Sequence, residues 1–385
     1  MAERGMDRKS LSQEDRIAWL RLVRSENVGP VTFRKLVRRF GSAQQALDML
    51  PEMSRRGGSA KTLRICSYEA AEREMADAER LGCRMIGLEE PDYPSALRAA
   101  DGAPPLLTVK GSPSALTRPS VAIVGSRNAS AVGGKIARSL AAGIGRAGYT
   151  ITSGLARGID AAAHEAALGS GTIAVMAGGL DRPYPPQNIP LLQSICESDS
   201  GIAVSEMPLD WEPRARDFPR RNRIIAGIGL GLIVVEAAKK SGSLISARIA
   251  GELGRLVFAV PGSPLDPRAR GTNDLIKDGA ILTSDADDVL QALAPLSGKT
   301  GPLDQLPLFR EEEEIAPSAQ IAPTDSDRTR VAQALGPAPV GIDDLVRHTD
   351  LPPAEIYVVL LELDLAGRLA RHPGGSVSLL PGSAR

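Results

Sequence analysis

Short apolar runs alternate with helical segments in the middle of this chain, and this alternation constrains the fold more than any other feature of the sequence. Seven apolar runs occur between residues 105 and 295, with stretches of helical spacing between them. Continuous apolar strands joined by helices predict a parallel sheet that is covered on both faces. The predicted strands are 121–126, 149–154, 172–179, 202–207, 232–237, 256–262 and 280–284.

Three further segments flank or follow this sheet. Residues 1–88 predict a small helical domain of the SAM or helix-hairpin-helix type, although its fragment NVGPVTFRKLV also suits a plain αα-hairpin. Residues 296–327 carry four successive glutamates among Pro, Ser and Ala, which predicts a disordered linker. The pattern of residues 328–385 predicts three helices followed by a short hairpin, which is the order found in a winged helix. The predicted fold is therefore α/β: a doubly wound, extended Rossmann parallel sheet over 89–295 with helical and winged-helix-like domains at the two ends.

Composition excludes several classes of protein. Basic and acidic residues number 46 each, so the chain is no histone-like polycation, and aromatic residues at 3% argue against a surface built mainly of stacked rings. Cys66, Cys83 and Cys196 are widely spaced, which suits a reducing compartment and indicates neither a disulfide framework nor a zinc site. We find no signal peptide and no membrane-spanning run, so we expect a cytoplasmic protein without cofactor or metal.

Loops rich in Gly, Ser and Arg follow the predicted strands, and a parallel sheet gathers such loops at one edge. Amides at a helix start hold anions, and arginine is a forked donor for phosphate. Convergent donors without paired catalytic carboxylates indicate a surface for the successive phosphates of a nucleic acid. The candidate residues are Gly125, Ser126, Arg127, Ser130, Ser153, Gly154, Arg157, Gly179, Arg182, Tyr184, Arg220, Arg221, Arg223, Lys240, Ser241, Gly242 and Ser243.

One loop is especially basic. The ten residues 214–223 hold five arginines and one acid, and Arg220, Arg221 and Arg223 stand together in the segment FPRRNR. Few aromatic residues accompany these cations, so the predicted affinity comes mostly from phosphate contacts and the predicted sequence preference is small.

In this order, the segments VAIVGSRNAS, TITSGLARGIDAAAHEAAL, TIAVMAGGLDRPYPPQN, FPRRNRIIAG and VVEAAKKSGSLISARIA resemble the DNA processing protein A family (DprA, also called Smf). The resemblance covers most of 90–290. It implies a protein that binds single-stranded DNA without strong sequence preference and protects incoming DNA during natural transformation. It also implies help in loading the RecA recombinase on strands coated by single-strand-binding protein.

The resemblance also implies roles for particular residues. The phosphate loop of the family falls on Gly125, Ser126, Arg127 and Ser130, and its basic pocket falls on Arg182 close to Tyr184. Family members self-associate, which implies a homodimer here, and the matching surface also lies near the recombinase contact. These apolar positions equally suit core packing; they are Leu275, Ile276 and Leu282.

An enzyme of the same superfamily is the alternative. Nucleotide phosphoribohydrolases of the lysine-decarboxylase-like type also use Gly-rich loops, but they carry PGGxGTxxE, whose Glu serves the glycosidic chemistry. The matching stretch here is SGSLISARIA, which has no acid. Glu206 and Glu236 end predicted strands, yet a single carboxylate does not make the acid/base pair that such cleavage needs. We therefore expect a binding protein and no catalytic residue.

The charges on the third predicted helix of the C-terminal segment indicate what kind of partner this segment binds. Residues 354–366 contain no Arg or Lys and three acids, namely Glu355, Glu362 and Asp364. A helix that reads DNA lies among phosphates, which repel carboxylates. We therefore expect this segment to contact protein or to have a regulatory role.

Overall fold

The computed structural model describes residues 10–59, 61–100, 102–297 and 323–380. The chain divides into two compact units, one formed by Met1–Leu11 and Arg73–Leu306 and the other by Ser12–Glu72 and Pro307–Arg385. The first unit is thus inserted between two parts of the second. The predicted linker, 296–327, lies outside the described residues except at its two ends, which are helical.

A nine-stranded sheet forms the centre of the inserted unit. Its strands follow the spatial order β1-β2-β6-β5-β4-β3-β7-β8-β9. The strands from β3 to β9 pair in parallel, whereas β1 and β2 form an antiparallel edge beside β6. In chain order they are β1 Arg84–Gly87, β2 Leu106–Gly111, β3 Ser120–Gly125, β4 Thr150–Ser153, β5 Thr172–Val175, β6 Gly201–Ser205, β7 Gly231–Glu236, β8 Leu256–Ala259 and β9 Ile281–Leu282.

Helices cover both faces of this sheet. In β3, Val121 and Ile123 belong to one apolar core while Ala122 and Val124 belong to the other, because successive strand residues point to opposite faces. α7, α8 and α13 pack on the first face, and α10 and α11 pack on the second. The helices of this unit are α4 Tyr68–Arg80, which begins in the other unit, α5 Ser95–Arg98, α6 Ser114–Thr117, α7 Ala131–Arg146, α8 Ile159–Ala167, α9 Ile189–Glu197, α10 Asp217–Ile228, α11 Gly242–Glu252, α12 Arg270–Lys277 and α13 Ala286–Ser297.

The strand order contains one topological switch point. From β3 the chain adds β4, β5 and β6 on one side, and it then returns to place β7, β8 and β9 on the other. Open α/β sheets bind ligands beyond the carboxyl ends of their strands, at the place where the order reverses. In this chain that place lies between the ends of β3 and β7.

All seven predicted strands are present, and the doubly wound sheet is confirmed. The prediction of a helical domain over residues 1–88 is wrong at its C-terminal end. There Arg84–Gly87 forms β1, which lies at the antiparallel edge of the sheet. A strand of four residues is too short to show a period, and β1 exists because it pairs with β2.

The second unit contains three helices from the N-terminal segment together with a winged helix. Ser12 and Ser42 cap the first and third helices, and Thr324 and Asp327 form a capping box on the fourth. The helix and hairpin order predicted for the C-terminal segment is confirmed. The elements are α1 Gln13–Arg24, α2 Pro30–Phe40, α3 Ala43–Arg56, α14 Asp325–Ala334, α15 Ile342–Thr349, α16 Pro353–Leu365, β10 Leu369–Arg371 and β11 Val377–Leu379.

Among the helices that the structure describes, none combines the length and the apolar character that crossing a bilayer requires.

His164 is a buried polar residue in the core of the inserted unit. The Leu155 N–H donates to its Nε2 at 3.3 Å, so Nδ1 carries the proton and donates to Thr172 Oγ1 at 2.7 Å. Burial, with the nearby Arg221 cation as a further cause, lowers the pKa of His164 to about 3 from 6.5. The neutral ring therefore serves packing.

We expect His164 to make the inserted unit acid-sensitive. Its folded pKa lies below the unfolded value, so the unfolded chain binds more protons as the pH falls from 7 towards 3, and stability falls with it. Between pH 7 and pH 5 this residue alone should lower the free energy of unfolding by about 2 kcal/mol. Urea unfolding followed by Trp211 fluorescence, in a Trp19→Phe background, measures this loss.

The His164→Gln variant should lose about 2 kcal/mol less than the parent between these two pH values. His348→Gln is the control, because His348 is exposed and lies in the other unit. Equal losses in the parent and in His164→Gln would contradict the prediction.

Candidate nucleic-acid interface

The loops that follow β3 and β4 pack against each other. The Ile159 N–H donates to the Ser126 carbonyl at 3.2 Å. Gly158 has a φ of +79°, and a Cβ there would lie 2.3 Å from the same carbonyl oxygen, so only glycine permits this approach. The contact places Arg127 and Arg157, which are both exposed, on neighbouring loops at the carboxyl edge of the sheet.

The loop that follows β5 is held by the loop that follows β6. The Gly179 N–H donates to the Trp211 carbonyl at 2.9 Å, and the Asp181 N–H donates to the Leu209 carbonyl at 3.1 Å. A Cβ on Gly179 would lie 2.0 Å from the Leu209 oxygen, so the two backbones are in direct contact. Arg182 follows these hydrogen bonds and is exposed.

Phe218 joins the loops after β3 and β5. Its ring centroid lies 5.0 Å from the Arg127 Cζ and 5.8 Å from the ring of Tyr184, which meets it edge to face. Tyr184 is 49% exposed. Our sequence reasoning missed Phe218, although an aromatic residue two positions before a run of arginines was the signal that could have identified it. The two rings and Arg127 form a partly open aromatic surface, which we call the ring platform.

Two arginines of the FPRRNR segment pair with the same carboxylate, so their contact with phosphate stays a prediction. Glu206 is buried at the end of β6 and accepts from Arg220 Nε at 2.9 Å. Arg223 pairs with the other oxygen of the same carboxylate and also donates to the Gly102 carbonyl. These side chains therefore hold the loop after β6 in place.

Arg221 is buried and serves the fold, which corrects its assignment as a DNA contact. Its Nη1 donates to the Gly154 carbonyl at 2.5 Å and to the Val175 carbonyl at 2.7 Å. Burial lowers its pKa to about 10, although the neighbouring Asp160 carboxylate acts in the opposite direction. A Cβ on Gly154 would lie 2.0 Å from Nη1, so this glycine makes room for the guanidinium.

The remaining serines also have partners within the protein. Ser153 is buried and donates to a carbonyl of β3 at 2.5 Å. Ser241 caps α11, and its hydroxyl lies 2.7 Å from that of Ser243. Lys240 and Gly242 are exposed beside them, and a Cβ on Gly242 would meet no atom within 4 Å. Lys240 and Gly242 are therefore the accessible positions of this loop, and their contact with phosphate stays a prediction.

A carboxylate of the protein occupies the switch point. Glu236 accepts from the Ser130 N–H at 3.0 Å and from the Ser130 hydroxyl at 2.5 Å, at the first turn of α7. A Cβ on Gly133 would lie 2.5 Å from the Glu236 carboxylate. Rossmann folds hold a nucleotide phosphate at this position, whereas here Ser130 donates to a carboxylate of the protein, so its contact with phosphate stays a prediction.

The cavity beside Glu236 is also poorly suited to an anion. It has a volume of about 340 Å³ and is lined by Glu236, Asp266 and Arg268 among others. Arg268 Nε lies 3.2 Å from Asp266, so the guanidinium is already paired. A nucleotide phosphate would meet carboxylates here, which argues against the phosphoribohydrolase alternative.

The seventeen candidates thus divide into two groups. Those exposed at the carboxyl edge are Arg127, Arg157, Arg182, Tyr184, Lys240 and Gly242, and Arg220 is exposed as well although it pairs with Glu206. Those that pack or bond within the protein are Gly125, Ser126, Ser130, Ser153, Gly154, Gly179, Arg220, Arg221, Arg223, Ser241 and Ser243.

Comparison with known proteins gives a consistent result for three successive parts of the chain. The family model described as DNA recombination-mediator protein A matches residues 84–294. A DprA-like N-terminal HHH domain matches residues 13–77, and a DprA winged helix domain matches residues 315–375. These three matches follow the same order along the chain as the helical segment, the α/β unit and the winged helix of the structure.

Relatives and a solved structure support this match. Protein Smf of Escherichia coli is 40% identical over 299 residues, which cover 77% of each chain. Protein Smf of Synechocystis is 29% identical and covers 94% of this chain and 98% of its own. The X-ray structure of DNA processing protein A from Streptococcus pneumoniae is 35% identical, with a TM-score of 0.60 over 74% of this chain and 98% of that one. The family model spans more than half of the chain, and the chain therefore belongs to the DNA recombination-mediator protein A family, known as DprA or Smf.

Proposed function

We propose that this protein binds single-stranded DNA without sequence preference along the edge formed by the loops after β3, β4 and β5. One observation carries the proposal. Arg127, Arg157 and Arg182 are exposed at the ends of three adjacent strands, and within the described residues none of them has a carboxylate at ion-pair distance. Exposed guanidinium groups without an acidic partner are suited to phosphate.

The dimensions of the edge suit a strand of nucleic acid. Neighbouring strands lie about 4.8 Å apart, so three successive loops span roughly 10 Å, which exceeds a single phosphate. Contacts to phosphate carry no sequence information. The ring platform adds a surface on which any base can stack, and it favours unpaired DNA because a duplex keeps its base faces inside the stack.

The wider role that we propose follows from the family. Relatives from Bacillus subtilis and Streptococcus pneumoniae bear the name DNA processing protein DprA, and the family model bears the name recombination mediator. We propose that this chain protects single strands in the cytoplasm during transformation or recombination. It would help to load RecA on strands coated by single-strand-binding protein.

We propose a binding role without catalysis. The carboxylate of Glu236 fills the position that a nucleotide phosphate would take, and Glu206 is committed to Arg220 and Arg223. Neither acid is therefore available for glycosidic chemistry. These contacts support the DNA-binding proposal against the phosphoribohydrolase alternative.

Self-association is the second part of the proposal. Leu282 lies in the edge strand β9 and is 50% exposed, and Ile276 on α12 is partly buried. Leu275 packs on the core of the sheet, so its share in an interface would be smaller. An exposed leucine at the open edge of a sheet supports a homodimer through this side, next to the RecA contact implied by the family.

Removing two of the exposed arginines should weaken DNA binding strongly. We expect the Arg127→Ala/Arg182→Ala variant to bind a labelled oligo-dT about 100-fold or more weakly, because two charge-assisted hydrogen bonds are lost. The slope of log K against log salt should shrink by about 1.4, at about 0.7 per phosphate for a single strand. Fluorescence anisotropy over a salt series measures both quantities.

The matched control removes two arginines that already have acidic partners. Arg84 lies 2.6 Å from Asp92, and Arg248 lies 3.6 Å from Glu252. The Arg84→Ala/Arg248→Ala variant has the same net charge as the test variant and should bind like the parent. Equal losses in the two double variants would show that net charge, and not the strand-end loops, holds the DNA.

A change at the ring platform should have a different signature. Tyr184→Ala should weaken binding by about 1–3 kcal/mol, the typical contribution of one stacked base. Tyrosine carries no charge, so the salt slope should stay that of the parent. Measurements with oligo-dT and oligo-dA should give similar losses, whereas an unchanged affinity for both would remove Tyr184 from the interface.

Leu282→Arg should convert a dimer to a monomer, because it buries a charge against the partner copy. Light scattering gives the mass directly. Leu265→Arg is the control, since Leu265 is 89% exposed and lies outside β9. A Leu282→Arg protein that keeps the mass of a dimer would refute this surface.

A further inference from the structure

The third helix of the winged-helix module, α16, is buried on two opposite faces. One stripe at i, i+3, i+4 and i+7 belongs to the apolar core of its own module, together with residues of α15 and the hairpin. A second stripe with the same spacing, offset by two residues, is buried as well. The first stripe is Ile356, Val359, Leu360 and Leu363, and the second is Val358, Leu361, Glu362 and Leu365.

The N-terminal helices lie against the end of α16. A Cβ placed on Gly57, at the end of α3, would lie 2.0 Å from the Glu362 carbonyl oxygen and 2.9 Å from the Ala366 Cβ. The backbone of the N-terminal segment is therefore in direct contact with the helix. The Lys35 ammonium of α2 lies 5.5 Å from the ring centroid of Tyr357, at the start of the same helix.

Hydrogen bonds join the same elements. Asn27, in the turn between α1 and α2, donates from Nδ2 to the Leu365 carbonyl at 2.9 Å. This carbonyl belongs to the last turn of α16, where no intrahelical partner is available. Arg368, just beyond the helix, donates from Nη1 to the Gly57 carbonyl at 3.1 Å.

Two of the three acids of α16, Glu362 and Asp364, are paired within this unit. Glu362 is 1% exposed and accepts from Arg328 Nε at 2.8 Å and from Arg328 Nη2 at 2.9 Å. Asp364 accepts from Arg371 Nη2 and from the Thr32 hydroxyl of α2, both at 3.2 Å. Two of the three carboxylates that make this helix unsuitable for DNA are thus partners of internal donors, and one of these donors belongs to the N-terminal segment.

We propose that α16 is a docking surface for the N-terminal helices of the same chain and does not read DNA. A winged helix that reads DNA places its third helix in the major groove, which requires one face of that helix to be free. Both faces of α16 are buried here. The two terminal segments therefore form one non-covalent assembly that persists without an intact connection through residues 298–322.

Cutting the chain tests this proposal directly. A site for a sequence-specific protease is inserted within residues 298–322 of the full-length protein, and the cleaved sample is analysed by size-exclusion chromatography. The released C-terminal fragment should co-elute with the remainder of the chain. Elution of the fragment by itself would overturn the proposal.

Gly57→Ala is the variant that separates docking from folding. Gly57 has a φ of −70° and a ψ of −1°, which alanine adopts freely, and the three atoms nearest to the added Cβ all belong to the stretch from Glu362 to Ala366. We expect the cleaved Gly57→Ala protein to lose co-elution of its C-terminal fragment, with the helical circular dichroism of the uncut protein retained.

Two further variants make the result unambiguous. Asn27→Gly removes the bond to the Leu365 carbonyl while glycine accepts the φ of +60° at this position, so partial loss of co-elution is expected. Gly29→Ala is the matched control, because a Cβ there meets no atom within 4 Å. It should retain the fragment fully. Retention of the fragment by Gly57→Ala as complete as that by Gly29→Ala would refute the docking surface.

Discussion

One buried guanidinium supports the edge of the sheet on which the proposed DNA contacts depend. Arg221 donates to the carbonyls that end β4 and β5, and it thereby fixes α10 against both strand ends. Phe218 precedes it by three residues and so lies on the same face of the helix, with its ring centroid 5.9 Å from the Arg221 Cζ. The buried cation therefore positions the ring that meets Arg127 and Tyr184.

The distribution of charge along this edge decides which ligand it suits. At the switch point the protein provides its own anion, Glu236, to the first turn of α7. On the side of β4 and β5, the exposed arginines have no such partner among the described residues. A mononucleotide would need the switch point, whereas a polymer with a phosphate at every residue needs only the exposed arginines. This distribution of charge supports the proposed binding of a polymer over that of a mononucleotide.

The sequence predicted at which edge of the sheet the candidate residues lie, but not which of their side chains already have partners within the protein. Strand-end loops of a parallel sheet must share an edge, so the position of Arg127, Arg157 and Arg182 at this edge could be predicted from the spacing of strands and loops alone. The arginines of FPRRNR could not be assessed in this way. Glu206 stands 14 residues before Arg220, and Arg221 reaches a carbonyl 67 residues away. Only the fold shows that these cations are already paired or buried.

The C-terminal segment shows the same limit of sequence-based prediction, because the partner of α16 could not be identified from the sequence. The acids of α16 favoured a role in contacts with protein, and in the structure this helix is buried along two offset stripes, the second of which contains Glu362. One stripe suffices for the core of a small module, so a second stripe requires another partner. Its identity could not be read from periodicity, because Asn27 and Leu365 are separated by 338 positions. Long-range pairing of this kind follows from insertion of the α/β unit between the two segments, which local patterns do not encode.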